Sequence, residues 1–196
     1  MVQQLFSADS TFQFRNNQTL SFLKEGLYLI QSDTTSAEGV AFRIVNSSYP
    51  KITRVNDLAG PVVYITTQDE FNTLVRSPGD KSTFDRLILS ITGNSDRARR
   101  FIRNYFQNIE SANHLFTSFK EGWKTDRGLI YTVFGPPDTV TFGNNIESWH
   151  YNASNAQYTF VKAGSVFDPN NYVLIRDSKY ADTWYSTIDQ WRKGRL

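Results

Sequence analysis

Between Asn94 and Phe116 the chain places Ala98, Phe101, Ile102, Tyr105, Phe106, Ile109, Ala112 and Phe116 among polar residues. At 3.6 residues per turn these positions fall on one stripe for about five turns, which predicts a long amphipathic helix. A stripe so rich in aromatic rings is not stable against water alone, so other elements must be built around it. Asn94 or Ser95 is the expected N-cap, and Gly93 is a left-handed stop for whatever precedes it.

Shorter helices are predicted ahead of that stripe. Thr67-Gln68-Asp69-Glu70 is a capping box before Phe71, Leu74 and Val75, and Ser77-Pro78-Gly79 ends that run. Ser82-Thr83-Phe84-Asp85 repeats the signal before Leu87, Ile88 and Ile91. Trp184, Tyr185, Ile188 and Trp191 predict a last helix over 181–192.

Both flanks read as strand. Residues 5–55 are expected to be β, with strands at 11–14, 19–23, 26–30 and 40–45, a turn at 15–18 and a polar loop at 32–39. Strands are also expected at 148–151, 157–162 and 172–176, separated by Asn/Ser/Gly and Asp-Pro-Asn-Asn turns. Helices bracketed by strands, without βαβ alternation, indicate an α+β fold: antiparallel sheet with a central group of helices packed on one face. The expected division is a β-rich segment, 1–58, readable as the end of a preceding sandwich, and an α+β domain, 59–196. The chain opens inside strand-like sequence, which suits a piece of something longer.

Composition narrows the chemistry. A 22.5 kDa chain of 196 residues buries about 70% of its unfolded surface, enough for a core without staples. Cysteine is absent, which excludes disulfides, thiol catalysis and Cys-ligated zinc. A net charge of +2 is too small to signal nucleic acid. No apolar run approaches the ~20 residues of a membrane helix, and no signal-peptide pattern is present. Aromatic residues make up 15%, which points to dense packing.

Familiar site motifs are missing. No nucleophile elbow, phosphate loop or dinucleotide fingerprint occurs, and no cofactor is implied. His114 and His150 lack clustered partners, so no metal site is predicted. Asp126, Asp138 and Glu147 are the candidate acid–base groups, and each also has an ordinary structural use. Asp126 follows Thr125 at a helix start, Asp138 lies in a Pro-Pro-Asp turn, and Glu147 can pair with Arg127. Arg97, Arg100 and Arg103, with Arg99, form a basic helix face that suits an anion or an acidic partner, or else a solvated surface.

The densest motif runs from Gly122 to Tyr151. Gly122-Trp123-Lys124-Thr125-Asp126 is followed by Arg127-Gly128, Ile130-Tyr131, Gly135-Pro136-Pro137-Asp138 and Glu147-Ser148-Trp149-His150-Tyr151. Gly122 permits a positive φ or a close backbone approach. Thr125 or Asp126 can cap the next element, and Gly135 with Pro137 makes a rigid stop. The segment 129–134 stays open: its β-branched and aromatic content favours a strand, its capped start and Gly-Pro stop a helix. Glu147, Trp149 and Tyr151 share one strand face, either packed on helices or displayed as an aromatic platform.

These linked elements resemble the GWxTD-domain family of the Bacteroidota, and the likeness extends upstream to Glu25–Ile30, Phe42-Arg43, Pro50-Lys51 and the approach Ala112-Asn113 to Phe116-Thr117. The resemblance implies a longer, exported cell-envelope protein with a signal peptide and a β-rich region ahead of the domain. It implies a structural or binding role, with another envelope protein or the rest of the chain as partner. The alternative is a hydrolase-like enzyme on glycan or peptide, using two of the three carboxylates in one cleft.

Overall fold

The computed structural model describes residues 8–33, 35–36 and 38–196. A hairpin of β1 (Gly26–Ile30) and β2 (Val40–Ile44) leads through turns at Val55–Asp57 and Pro61–Tyr64 into α1 (Gln68–Arg76), α2 (Lys81–Thr92) and α3 (Ser95–Phe116). A short turn, Gly122–Lys124, then joins α3 to α4 (Asp126–Phe134). The strands β3 (Thr139–Gly143), β4 (Ile146–Tyr151), β5 (Ala156–Lys162) and β6 (Tyr172–Leu174) follow, and α5 (Ala181–Arg192) comes last. The second sheet is antiparallel in the order β3-β4-β5-β6, and the first contains β1 and β2 alone. The fold is α+β.

Local chemistry accounts for the helix ends. The Thr67 hydroxyl accepts from the Glu70 amide while the Glu70 carboxylate accepts from the Thr67 amide, so the capping box is complete. Asn94 caps α3 by accepting from the Arg97 amide. Gly93, at φ 84°, ends α2. The start of α2 differs from the expected one. Asp80, not Ser82, is its cap, because the carboxylate accepts from the Ser82 amide and both the Ser82 and Thr83 hydroxyls.

Two expected strands are not formed. Residues 11–14 and 19–23 alternate in polarity but carry no strand pairing. Phe12 and Phe14 lie 6.3 Å apart and remain 56% and 38% exposed. Alternation supplies an apolar face, but a strand also needs a hydrogen-bonded neighbour and something to cover that face. Expected strand at 5–7, and Thr34 and Ala37 of the polar loop, lie outside the described residues. The strand expected over 172–176 is shorter, although the Ile175 amide still donates to Thr159 O.

Two cores meet along α3 and α4. The first gathers α1, α2, α3 and α5 around Phe101 and Tyr105, both fully buried, with Trp191 edge-on to each at 5.9 and 5.3 Å. Burying one such ring contributes about 1.5–3 kcal/mol. The Tyr105 hydroxyl donates to Pro61 O at 2.7 Å and the Trp191 indole to Val133 O at 2.8 Å, so neither polar tip is stranded. The second core lies between α4 and the four-stranded sheet, with Ile130, Trp149, Tyr151, Tyr158 and Phe160 buried. Phe116 and Tyr131 touch both cores. The ambiguous segment 129–134 is therefore helix: Ile130 and Val133 face inward and the β-rich composition yields to the cap at Thr125.

The sheet's two margins differ. All residues of β3 are exposed, including Phe142 at 76%, and no strand pairs with its outer side among the described residues. The margin at β6 is covered by the first turn of α4.

Candidate functional site

The Gly-Trp-Lys-Thr-Asp segment is where α3, α4 and the sheet converge. Gly122 lies against the last turns of α3 so closely that a Cβ there would stand 2.0 Å from Ala112 O and 2.6 Å from Asn113 Cα. Gly128, one turn into α4, approaches Gly122 O in the same way, at 1.8 Å. The need at Gly122 is for backbone contact, since only Gly135 of the motif's glycines has a positive φ. Between the two glycines, the Thr125 hydroxyl accepts from the Gly128 amide at 3.0 Å and donates to Gly122 O at 2.7 Å. One side chain thus caps α4 and closes the turn before it.

Trp123 is 9% exposed, edge-on to Tyr64 at 5.9 Å, and Tyr64 donates to Trp123 O at 2.8 Å. Burial pushes the Tyr64 phenol well up, and the nearby Asp126 charge adds to that. The Trp123 amide donates to the Asn113 side chain at 3.2 Å.

The three candidate carboxylates have separate partners. Asp126 does not cap α4; its Oδ2 accepts from the Leu174 amide on β6 at 2.7 Å, with Arg176 at 3.8 Å. Glu147, 5% exposed on β4, accepts from the Trp149 indole at 2.6 Å and pairs with Arg127 at 3.3 Å. Arg127 also donates to Asn170 O at 3.1 Å and lies over the rings of Tyr172 and Phe116 at 4.5 and 5.3 Å. Asp138 accepts from the Asn152 amide at 2.7 Å on the exposed turn before β3. Pro137 sits ahead of it, and the Tyr151 hydroxyl donates to Gly135 O at 2.9 Å. Trp149 and Tyr151 face α4 and are buried. The site joins elements: Asp126, Asp138 and Glu147 each bond a different partner within the chain, while the buried Thr132 hydroxyl has none among the described residues.

Arg97, Arg100 and Arg103 lie elsewhere, exposed along α3, with Arg100 donating to Gly194 O at 3.5 Å. An open depression of about 830 Å³ borders Arg103, Glu110, His114 and the segment 50–53. Tyr131 is its one contact with the motif region. Among the described residues no cluster of three or more His, Asp or Glu is placed to hold a metal ion, and His150 lies on β4.

Three residues that the sequence reading gave no site role complete the junction. Asn113, 2% exposed, also donates to Pro50 O at 3.0 Å, tying the N-terminal segment to α3. A polar amide at an inward helix position, beside Ala112, was its signal. Glu121 pairs with Arg43 at 3.0 Å and Lys124 at 2.7 Å. Burial opposes its charge, yet these hydrogen bonds and the Arg43 charge hold its carboxyl down at about 2. Arg192 clamps Glu70 with two bonds of 2.8 and 2.9 Å and lowers its pKa. No local pattern marks that pair, whose members are 122 residues apart.

Comparison with known proteins identifies a family. Neither the curated proteins nor the solved structures contain a match to the chain. A family model described as GWxTD domain matches residues 26–193, from the first residue of β1 to just past α5. With the match spanning nearly the whole chain and the motif at its structural junction, the chain belongs to the GWxTD domain family.

Proposed function

We propose that the chain is a non-enzymatic structural and binding domain of an exported cell-envelope protein. In this reading the motif fixes helices to sheet, and the outer surfaces meet another envelope protein or the rest of a longer chain. One observation carries it: Thr125, Asp126, Arg127, Asp138 and Glu147 are all engaged by partners inside the chain. A hydrolase needs an acid and a base facing one substrate, whereas Asp126 holds a strand margin and Glu147 holds an indole and a guanidinium.

The test compares wild type with Asp126→Asn and Glu147→Gln. Cleavage of peptidoglycan and of a denatured protein is measured together with thermal unfolding. The expected result is no cleavage by any of the three and a lowered Tm for Glu147→Gln. Cleavage by wild type that disappears in either variant at unchanged Tm overturns the proposal. Pull-down of the native protein from envelope extract is expected to retain a specific partner, and fractionation to place the protein in the envelope. Recovery from the cytosol alone refutes the envelope assignment.

A further inference from the structure

The tail after α5 and the first half of α3 are distant in sequence but adjacent in the fold. Gly194 packs on α3 so tightly that a Cβ there would lie 2.6 Å from Arg97 Cβ, and Arg100 donates to Gly194 O. This joins Lys193 and Arg195 to the ridge of Arg97, Arg99, Arg100 and Arg103. Over 95–103 and 193–196 the side chains provide six cations and one carboxylate, Asp96, in a chain whose whole surplus is two.

Elsewhere nine of the fifteen cations have a carboxylate within 4 Å among the described residues, and the six that do not, Arg15, Lys24, Arg76, Arg86, Lys120 and Lys162, are scattered along the chain. Within the patch Arg99 has Asp96 and Lys193 has Asp189, but Arg97, Arg100, Arg103 and Arg195 have no carboxylate partner among the described residues. All four are exposed. Arginines three residues apart on one helix are neighbours whose like charges repel, and a carboxylate-bearing partner relieves that repulsion.

We infer that this ridge and tail form one docking surface for an acidic protein segment. Shape favours a polypeptide over a bilayer. Arg97, Arg100 and Arg103 step about 9 Å along α3 and about 120° around it, so they do not all face one plane. Arg103 also leads into the depression along α3, where a chain can continue. Exposed apolar surface for lipid insertion is slight there, Leu196 being 37% exposed. The inference rests on the binding-domain reading and names the chemistry of its partner.

The probe is a labelled oligoglutamate titrated with the whole chain and followed by anisotropy in 0.15 M salt, where the screening length is about 8 Å. Wild type is expected to bind, more weakly as salt rises. Arg97→Glu/Arg100→Glu/Arg103→Glu is expected to lose roughly tenfold or more, and the corresponding triple Gln variant less. Arg15→Glu/Lys24→Glu/Lys162→Glu makes the same change in net charge at exposed sites elsewhere and is expected to stay within about twofold. Equal losses in the two Glu triples, or no binding at this salt, overturn the proposal. So does tighter binding to phosphatidylglycerol vesicles or duplex DNA than to oligoglutamate. An envelope partner retained equally by wild type and the ridge variant refutes the surface but keeps the binding-domain reading. Motif-dependent cleavage refutes that reading instead.

Discussion

Gly122 and Gly135 of the motif should respond to the same methyl group for different reasons. A Cβ at Gly122 meets Ala112 O at 2.0 Å, and its neighbours are backbone atoms of α3. Real Cβ atoms stay beyond 3.0 Å, so α3 and the turn must separate by roughly 1 Å, straining the Asn113 bonds to Trp123 and Pro50. Overpacking of this kind costs about 3 kcal/mol, less the ~0.4–1 kcal/mol that alanine returns by stiffening the unfolded chain. At Gly135 nothing lies within 4 Å, but φ 76° and ψ −163° fall in a region open to glycine alone, a strain of about 1–3 kcal/mol. For a chain of this length 1 kcal/mol moves Tm by about 2–4 °C. Gly122→Ala is therefore expected to lower Tm by about 4–10 °C and Gly135→Ala by about 2–12 °C, read by circular dichroism and tryptophan fluorescence. The control is Gly122→Ala combined with Ala112→Gly. Because the obstacle is a carbonyl oxygen, removing the Ala112 methyl should give no relief. Gly122→Ala at wild-type Tm, or rescue by Ala112→Gly, would refute the packing argument.

Three further outcomes are expected. Thr125→Ala removes the α4 cap and the bond to Gly122 O, a loss of about 1–2 kcal/mol in urea unfolding, while Thr125→Ser keeps most of it. Equal losses in both would contradict the hydroxyl's role. Below its ordinary pKa of 4.5, unfolded Glu121 takes up a proton that the folded chain, with its carboxyl near 2, does not. Stability should thus fall as pH drops from about 4.5 towards 2, and the fall should be shallower in Glu121→Gln; identical pH slopes would count against the Arg43 and Lys124 contacts. Asp126→Ala frees the Leu174 amide and Asp126→Asn retains an acceptor, so hydrogen exchange at Leu174 should quicken far more in the first. Equal protection in both would remove Asp126 from the sheet margin.

Legibility followed the range of the interactions. The capping box at Thr67, the stop at Gly93 and the span 181–192 depend on neighbours three or four residues away, and each is placed where its pattern indicates. The α3 stripe is equally plain because its period is written into one continuous segment. For 129–134 the local signals conflict, and the helix prevails because Thr125 and Gly135 secure its ends while Ile130 is buried beneath Trp149 and Phe160. At 11–14 a local pattern exists without the distant partner that would make it a strand. The motif announced itself as a group, but the partners of its members did not: Leu174 lies 48 residues beyond Asp126, and Pro50 lies 63 before Asn113. Those meetings follow from how α3 and α4 pack against the sheet.

The unequal margins of that sheet bear on how copies of the chain can assemble. At β6, Asp126 occupies the Leu174 amide and Arg127 lies over Tyr172, so a strand arriving there must first displace α4. At β3 no such obstacle lies among the described residues. Filaments that grow by strand addition need every molecule to offer two open margins, one for the neighbour ahead and one for the neighbour behind. With a single open margin on the four-stranded sheet, pairing of copies through that sheet alone ends after one addition. The aspartate of the Gly-Trp-Lys-Thr-Asp segment thereby closes one end of this sheet to strand addition and leaves the other as its growing end.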